Sequence, residues 1–182
     1  MKALGPLARK MVNTDGEVRN RPDGCSNATF LRRIWTLAAK GDRNGLAEWI
    51  EGEPTLVSRR GDGGRTLLWE AAKHGRREIV QWLLDLGADP NAPGVAKPSY
   101  GKTSPPETLL SMTPHCAATL KKKRDIADDL LAAGAVVDIY TAAMLGDVDA
   151  LEAILEDGVS VNAQDPAEDL SPCTPLYHAV CG

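Results

Sequence analysis

Residues Gly64–Ala92 read GRTLLWEAAKHGRREIVQWLLDLGADPNA, and this stretch decides the fold. Thr66 precedes an apolar run and offers a side-chain oxygen to cap a helix starting behind it. Gly75 stands where that helix must end and the chain reverse, a bend that favours a residue without a Cβ. Ile79, Val80, Leu83 and Leu84 then follow i, i+1, i+4, i+5 spacing, the stripe of a second helix buried along one side. Gly87 is placed to end it, and Gly61-Asp62-Gly63-Gly64 supplies a tight turn in front. The segment reads as a turn and two short helices. A pair this thin cannot bury its own apolar faces and needs neighbours of the same kind.

Those neighbours are present. Leu37-Ala38-Ala39-Lys40-Gly41, followed by Leu46, Trp49 and Ile50, overlays the same features, with Gly41 and Gly75 lying 34 residues apart. Thr113-Pro114, Ala118, Ile126, Leu130, Leu131, Gly134 and Ala135 form a third copy. Ala142-Ala143-Met144-Leu145-Gly146 opens a fourth, with Leu151, Ile154, Leu155, Gly158 and Val161-Asn162-Ala163 behind it. Thr174-Pro175-Leu176-Tyr177-His178-Ala179 opens a fifth.

A unit of about 33 residues with this order resembles the ankyrin repeat, whose signature is T-P-L-H-x-A. The resemblance covers roughly residues 30–182. It implies an all-α, ankyrin-repeat solenoid in which each unit touches only its neighbours. The expected organisation is a flexible lead-in over 1–28 and a repeat domain over 29–182, with units at about 29–61, 62–97, 109–138 and 139–163 and a partial one at 172–182. Ser26 and Asn27 offer caps for a first helix with Phe30, Ile34, Leu37 and Ala38 on one face and Arg32 and Arg33 on the solvated one.

The units depart from the pattern in informative ways. Leu84 to Leu131 exceeds one period by about 14 residues, which places a loop insertion at 93–108, rich in Pro, Lys, Ser and Gly around Tyr100. Leu131 to Leu155 falls short by about 9, so the turn before the fourth unit is missing and Val137-Asp138 leads straight into Ile139. Trp35 and Trp69 occupy the place of the signature His. The indole is expected to fill that space by packing, with some loss of hydrogen bonding between turns. His115 stands where the pattern wants an apolar residue.

Composition narrows the function classes. The net charge of −4 and the pI near 5.4 give no overall basic footprint of the kind nucleic-acid binding requires. No stretch approaches the ~18 apolar residues of a membrane span, and no signal-peptide run opens the chain. Cys25, Cys116, Cys173 and Cys181 are dispersed without a C-x-x-C pair, which fits a reducing compartment and gives the expectation of a cytoplasmic protein. His74, His115 and His178 fall in different units and lack paired ligand spacing, so no metal site is expected. Nucleotide-binding and hydrolase motifs are absent, and neither a cofactor nor catalysis is expected. Lys121-Lys122-Lys123-Arg124 reads as a solvated helix turn. Charge is unevenly spread: residues 139–182 hold eight carboxylates and no Lys or Arg, whereas 1–35 are mainly basic.

The resemblance implies a non-catalytic scaffold that binds a partner protein through finger loops and the exposed ends of its inner helices. Carried over by register, the candidate residues are Asp62 and Arg65 on a finger and Tyr100 in the insertion. The inner-helix ends add Lys40, Lys73 with His74, Leu120 with Lys121, and Met144 with Leu145. Leu120, Met144 and Leu145 are expected to form an exposed apolar contact. The partial fifth unit is expected to expose an apolar end that a capping partner or a dimer mate covers. The alternative is a regulatory or targeting segment of a larger enzyme whose C-terminal part is absent here.

Overall fold

A computed structural model describes residues 27–96, 110–164 and 174–181. The lead-in, Tyr100 and most of the insertion lie outside the described residues, as does the linker over 165–173. The first helix pair is α1 (Asn27–Lys40) and α2 (Arg43–Gly52), followed by 3-10 turns at Pro54–Val57 and Asp62–Gly64. Next come α3 (Leu67–Lys73) and α4 (Arg77–Asp85), then α5 (Pro114–Leu120) and α6 (Arg124–Ala132). Helices α7 (Ile139–Leu145), α8 (Val148–Glu156) and α9 (Pro175–Cys181) complete the series.

Each unit is a hairpin of an inner and an outer helix. The inner helices α1, α3, α5, α7 and α9 pack on one another in chain order, and α2, α4, α6 and α8 each lie against their own inner helix. Caps fix where the inner helices begin. The side chains of Thr66, Thr113 and Asp138 accept from the backbone N–H three residues on, at 3.2, 3.2 and 2.6 Å. One such cap contributes about 1 kcal/mol. Gly75 ends α3 with φ of 72°, as its spacing predicts. In the third unit Lys122 takes that left-handed place with φ of 57°, a conformation that costs a residue with a Cβ about 1 kcal/mol.

The insertion is framed by structure that periodicity does not announce. Strand β1 (Gly94–Ala96) pairs antiparallel with β2 (Leu110–Met112), placing Val95 opposite Ser111. The second and third units are thus joined across a two-stranded ladder, a small exception among the otherwise helical elements of the described residues.

Neighbouring units are tied by polar bridges as well as by the core. The main apolar cluster runs from Ile34 and Leu46 through Leu67, Leu68, Ile79 and Leu83 to Ile126 and Leu130. Arg76 donates its Nε to the Ala39 carbonyl at 2.8 Å, so a cation sits on the carbonyl end of α1, where the helix dipole favours it. The Asn91 side chain donates to Gly134 O at 3.0 Å and accepts from Val136 N at 2.7 Å, fastening the loop of the second unit to that of the third.

The tryptophans revise the sequence expectation. Trp35 Nε1 donates to Arg65 O at 2.8 Å, and Trp69 Nε1 donates to Met112 O at 2.8 Å. In both cases the acceptor is the residue just before the capping Thr of the next unit. The hydrogen bond between turns is therefore kept, because the indole N–H reaches the neighbouring loop while its ring fills the interior. Trp69 is fully buried, which makes its bond costly to lose.

Candidate protein-binding surface

The candidate residues of the second unit converge on one carboxylate that sequence reasoning did not single out. Glu70 is buried on α3, yet its two oxygens are both engaged. Arg65 Nη1 lies 2.8 Å from Oε1, and His74 Nε2 lies 3.5 Å from Oε2. Arg65 also donates its Nε to Asp62 O at 2.8 Å, so the finger and the inner helix share one anchor. The only sequence signal was local: Glu70 and His74 are one helical turn apart, with Arg65 just ahead of the capping Thr.

Around that carboxylate the positive groups cluster against an aromatic floor. The Arg65 guanidinium lies 5.6 Å and the Lys73 ammonium 4.9 Å from the Trp69 ring centre, both within reach of its negative face. Burial pushes the Lys73 ammonium below its ordinary range, Glu70 opposes that, and Arg65 and Lys121 add to it. Burial likewise lowers His74, against Glu70 and with help from Lys73, Arg76 and Lys121. His74 is therefore neutral near pH 7, and its contact with Glu70 is not an ion pair. A cleft of about 160 Å³ opens beside this cluster, lined by Trp35, Thr36, Ala39, Asp62, Arg65 and Glu70.

The remaining candidates fall into three groups. Lys40 and Lys121 are exposed at helix ends, and Asp62 is exposed on its turn, where its Oδ2 lies 3.7 Å from Arg32 Nη2. Leu120 and Leu145 are half-buried; Leu120 packs on a small cluster of Trp69, Met112, Cys116, Ala117 and Met144. Met144 is not an exposed contact. It is 4 % exposed, with its Sδ 3.6 Å from Cys116 Sγ.

The correction to Met144 has a simple cause. Register taken from the glycine turn equates Met144 with Lys73. Counted from the helix caps, Thr66 and Asp138, Met144 instead equals the fully buried Ala72. Helix α7 reaches its left-handed residue, Gly146, one position sooner than α3 reaches Gly75. The glycine is thus the wrong ruler in that unit.

Chemistry at the buried cysteine and histidine is muted. Burial pushes the Cys116 thiol up to about 12, so it is un-ionised at neutral pH. His115 is buried and its Nδ1 has no hydrogen-bond partner among the described residues. Burial lowers its pKa, partly opposed by Asp128 and Asp138. No cluster of three His, Cys, Asp or Glu side chains suited to a metal occurs among the described residues. Nor is any described helix long and apolar enough to cross a membrane.

Compared with known families, residues 63–95 match the family model of the ankyrin repeat. Residues 63–95 are an ankyrin repeat. The matched stretch holds the Asp62–Gly64 turn's end, α3, α4 and the entry to β1, and the helical hairpins on either side of it repeat the same inner-and-outer arrangement. An ankyrin repeat is a protein–protein interaction module.

Proposed function

We propose that this protein is a non-catalytic scaffold that binds a partner protein across the exposed ends of its inner helices and the adjoining finger. Lys40, Asp62, Arg65, Lys73, His74, Leu120, Lys121 and Leu145 are the contact residues of that reading. The observation that carries it is the pinning of Arg65, Lys73 and His74 around Glu70 and the Trp69 ring. Long cationic side chains usually lose much rotamer freedom on binding. Here part of that loss has already been met, and a pre-organised surface binds more tightly for the same contacts.

The test is affinity capture from a native extract with the wild-type chain and a Lys73→Glu/His74→Glu/Lys121→Glu variant whose thermal melt is unchanged. A specific protein retained by the wild type and lost, or weakened at least tenfold, with the variant is the expected outcome. Identical captured sets would remove these residues from the binding surface.

A further inference from the structure

The outer helices give a ruler for the edge of the stack that the inner helices do not. Asp42, Arg76, Lys123 and Asp147 are the N-cap residues of α2, α4, α6 and α8. Two residues ahead of each cap stand Lys40, His74, Lys121 and Leu145. The residue between is left-handed each time, at Gly41, Gly75, Lys122 and Gly146, so the four side chains leave equivalent turns. Helices α1, α3, α5 and α7 pack in that order, which sets the four positions in one row across the stack. Lys40, His74 and Lys121 are exposed, and Leu145 is half-buried.

The row is positive, and the carboxylates in its turns are already engaged. Asp42 accepts from Gly45 N at 2.9 Å and Asp147 from Ala150 N at 3.1 Å, each capping its own helix. Glu70, one helical turn before His74, is held by Arg65 at 2.8 Å. The charges that reach His74 are Glu70 and Lys73 on its own helix, Arg76 at the start of α4 and Lys121 behind α5. Lys40, ending α1, is next along the row, and the turn at Pro54–Val57, also packed on α3, has no titratable side chain. Cations outnumber the one carboxylate, so an anionic ligand is favoured there, and Leu145 gives the row an apolar end.

Spacing narrows the ligand further. Packed helices lie about 8–10 Å apart. A polyproline II chain advances about 9 Å per three-residue turn and keeps every third side chain on one face. Such a segment along the row brings its first, fourth and seventh residues over Lys40, His74 and Lys121, and its tenth over Leu145. An α-helix rises only about 5.4 Å per turn and falls out of step. His74 and Lys121 belong to units with a described unit on both sides. A hairpin added at either end of the stack would pack on a helix face and leave this edge open.

We propose, building on the binding surface assigned above, that the row takes an extended acidic segment of a partner protein, with a carboxylate at every third residue and an apolar residue one turn beyond. A carboxylate over His74 favours the imidazolium, so binding takes up a proton and tightens as pH falls toward 6.

The probes are fluorescent decapeptides, EPPEPPEPPL and its reverse LPPEPPEPPE, titrated against the full chain by anisotropy. At least one should bind fivefold or more tighter than the clustered isomer EEEPPPPPPL, outbind KPPKPPKPPL tenfold, and weaken as salt is raised. It should tighten at least twofold from pH 7.5 to 6.0, and the same peptide with glutamine for its central glutamate should not. Lys40→Glu/Lys121→Glu, with an unchanged thermal melt, should abolish binding.

Equal binding of spaced and clustered peptides, binding of none, or a pH response that is missing or survives the central glutamine would overturn the proposal. So would tighter binding of a single-stranded oligothymidylate than of any peptide. A tenfold gain in peptide affinity on Asp165→Asn/Glu168→Gln would overturn it by placing the chain's own linker on the row. A concentration-dependent dimer in sedimentation that Lys40→Glu/Lys121→Glu abolishes would overturn it by placing a second copy there. Capture that depends on Lys73, His74 and Lys121 while the peptides are not discriminated would keep the surface and remove the acidic segment.

Discussion

Trp69 and Trp35 each stitch one unit to the next through a single N–H. Trp69→Phe keeps most of the ring and removes the donor, leaving the Met112 carbonyl without it in a buried site. The expected cost is about 1–3 kcal/mol, read as a lower thermal midpoint. Trp35→Phe, nearer the surface, should cost less. Sequence placed both indoles in the interior and missed their second role, because apolar packing and a hydrogen bond to a neighbouring unit leave the same residue type at the same position. Glu70 escaped for a related reason: a Glu on a short helix reads as solvated until burial shows what holds it.

His115 gives a pH dependence with a definite sign. Its folded-state pKa lies below the ordinary value of about 6.5. Between those two values the unfolded chain holds more protons than the folded one, so stability is complete above about pH 6.5 and is lost as pH falls toward the folded pKa. His74 adds to the same slope. His115→Leu restores the residue type found at the equivalent Leu68 and frees a buried nitrogen from its missing partner. Urea denaturation should show it more stable by about 1 kcal/mol at pH 6, with a flatter profile between pH 7 and 5.5.

At the level of elements, the capped helices were the legible part. Thr66 and Thr113 announce α3 and α5, and the apolar stripes of α4 and α6 are where their spacing puts them. What spacing could not give was phase. In the fourth unit the shortened turn moves the glycine but not the cap, and a one-residue slip along a helix rotates a side chain by about 100°. That rotation is the difference between an exposed Met144 and a buried one. The β1–β2 ladder was illegible for another reason: three-residue strands beside a Pro-rich stretch carry too little alternation to register.

The elements also differ in how firmly they are held. Helices α4 and α6 each bury three residues, whereas α8 buries none. Local opening follows buried contact, so amide hydrogen exchange should be fastest in α8, slower in α6 and slowest in α3 and α4. Equal protection along the stack would mean that α8 draws its stability from contacts other than those of α7.

Across the described units the charge changes sign along the stack. The positive inner-helix ends lie in the first three units, and the described surface of the fourth is acidic. A field of this kind orients an approaching partner before contact, and its effect on association rate fades as salt is added. The proposed surface at Lys73 and Lys121 therefore favours acidic segments of a partner. One chain of stacked hairpins can hold both signs of charge because each unit answers only to its neighbours.

The indole ladder has a direction. In both rungs the donor belongs to the earlier unit and the acceptor to the later one. A chain made from its N-terminus must then release Trp35 before Arg65, and Trp69 before Met112, exists to receive it. During synthesis each hairpin stays wet at one ring nitrogen until the following loop has left the ribosome. Its completion trails its translation by one repeat.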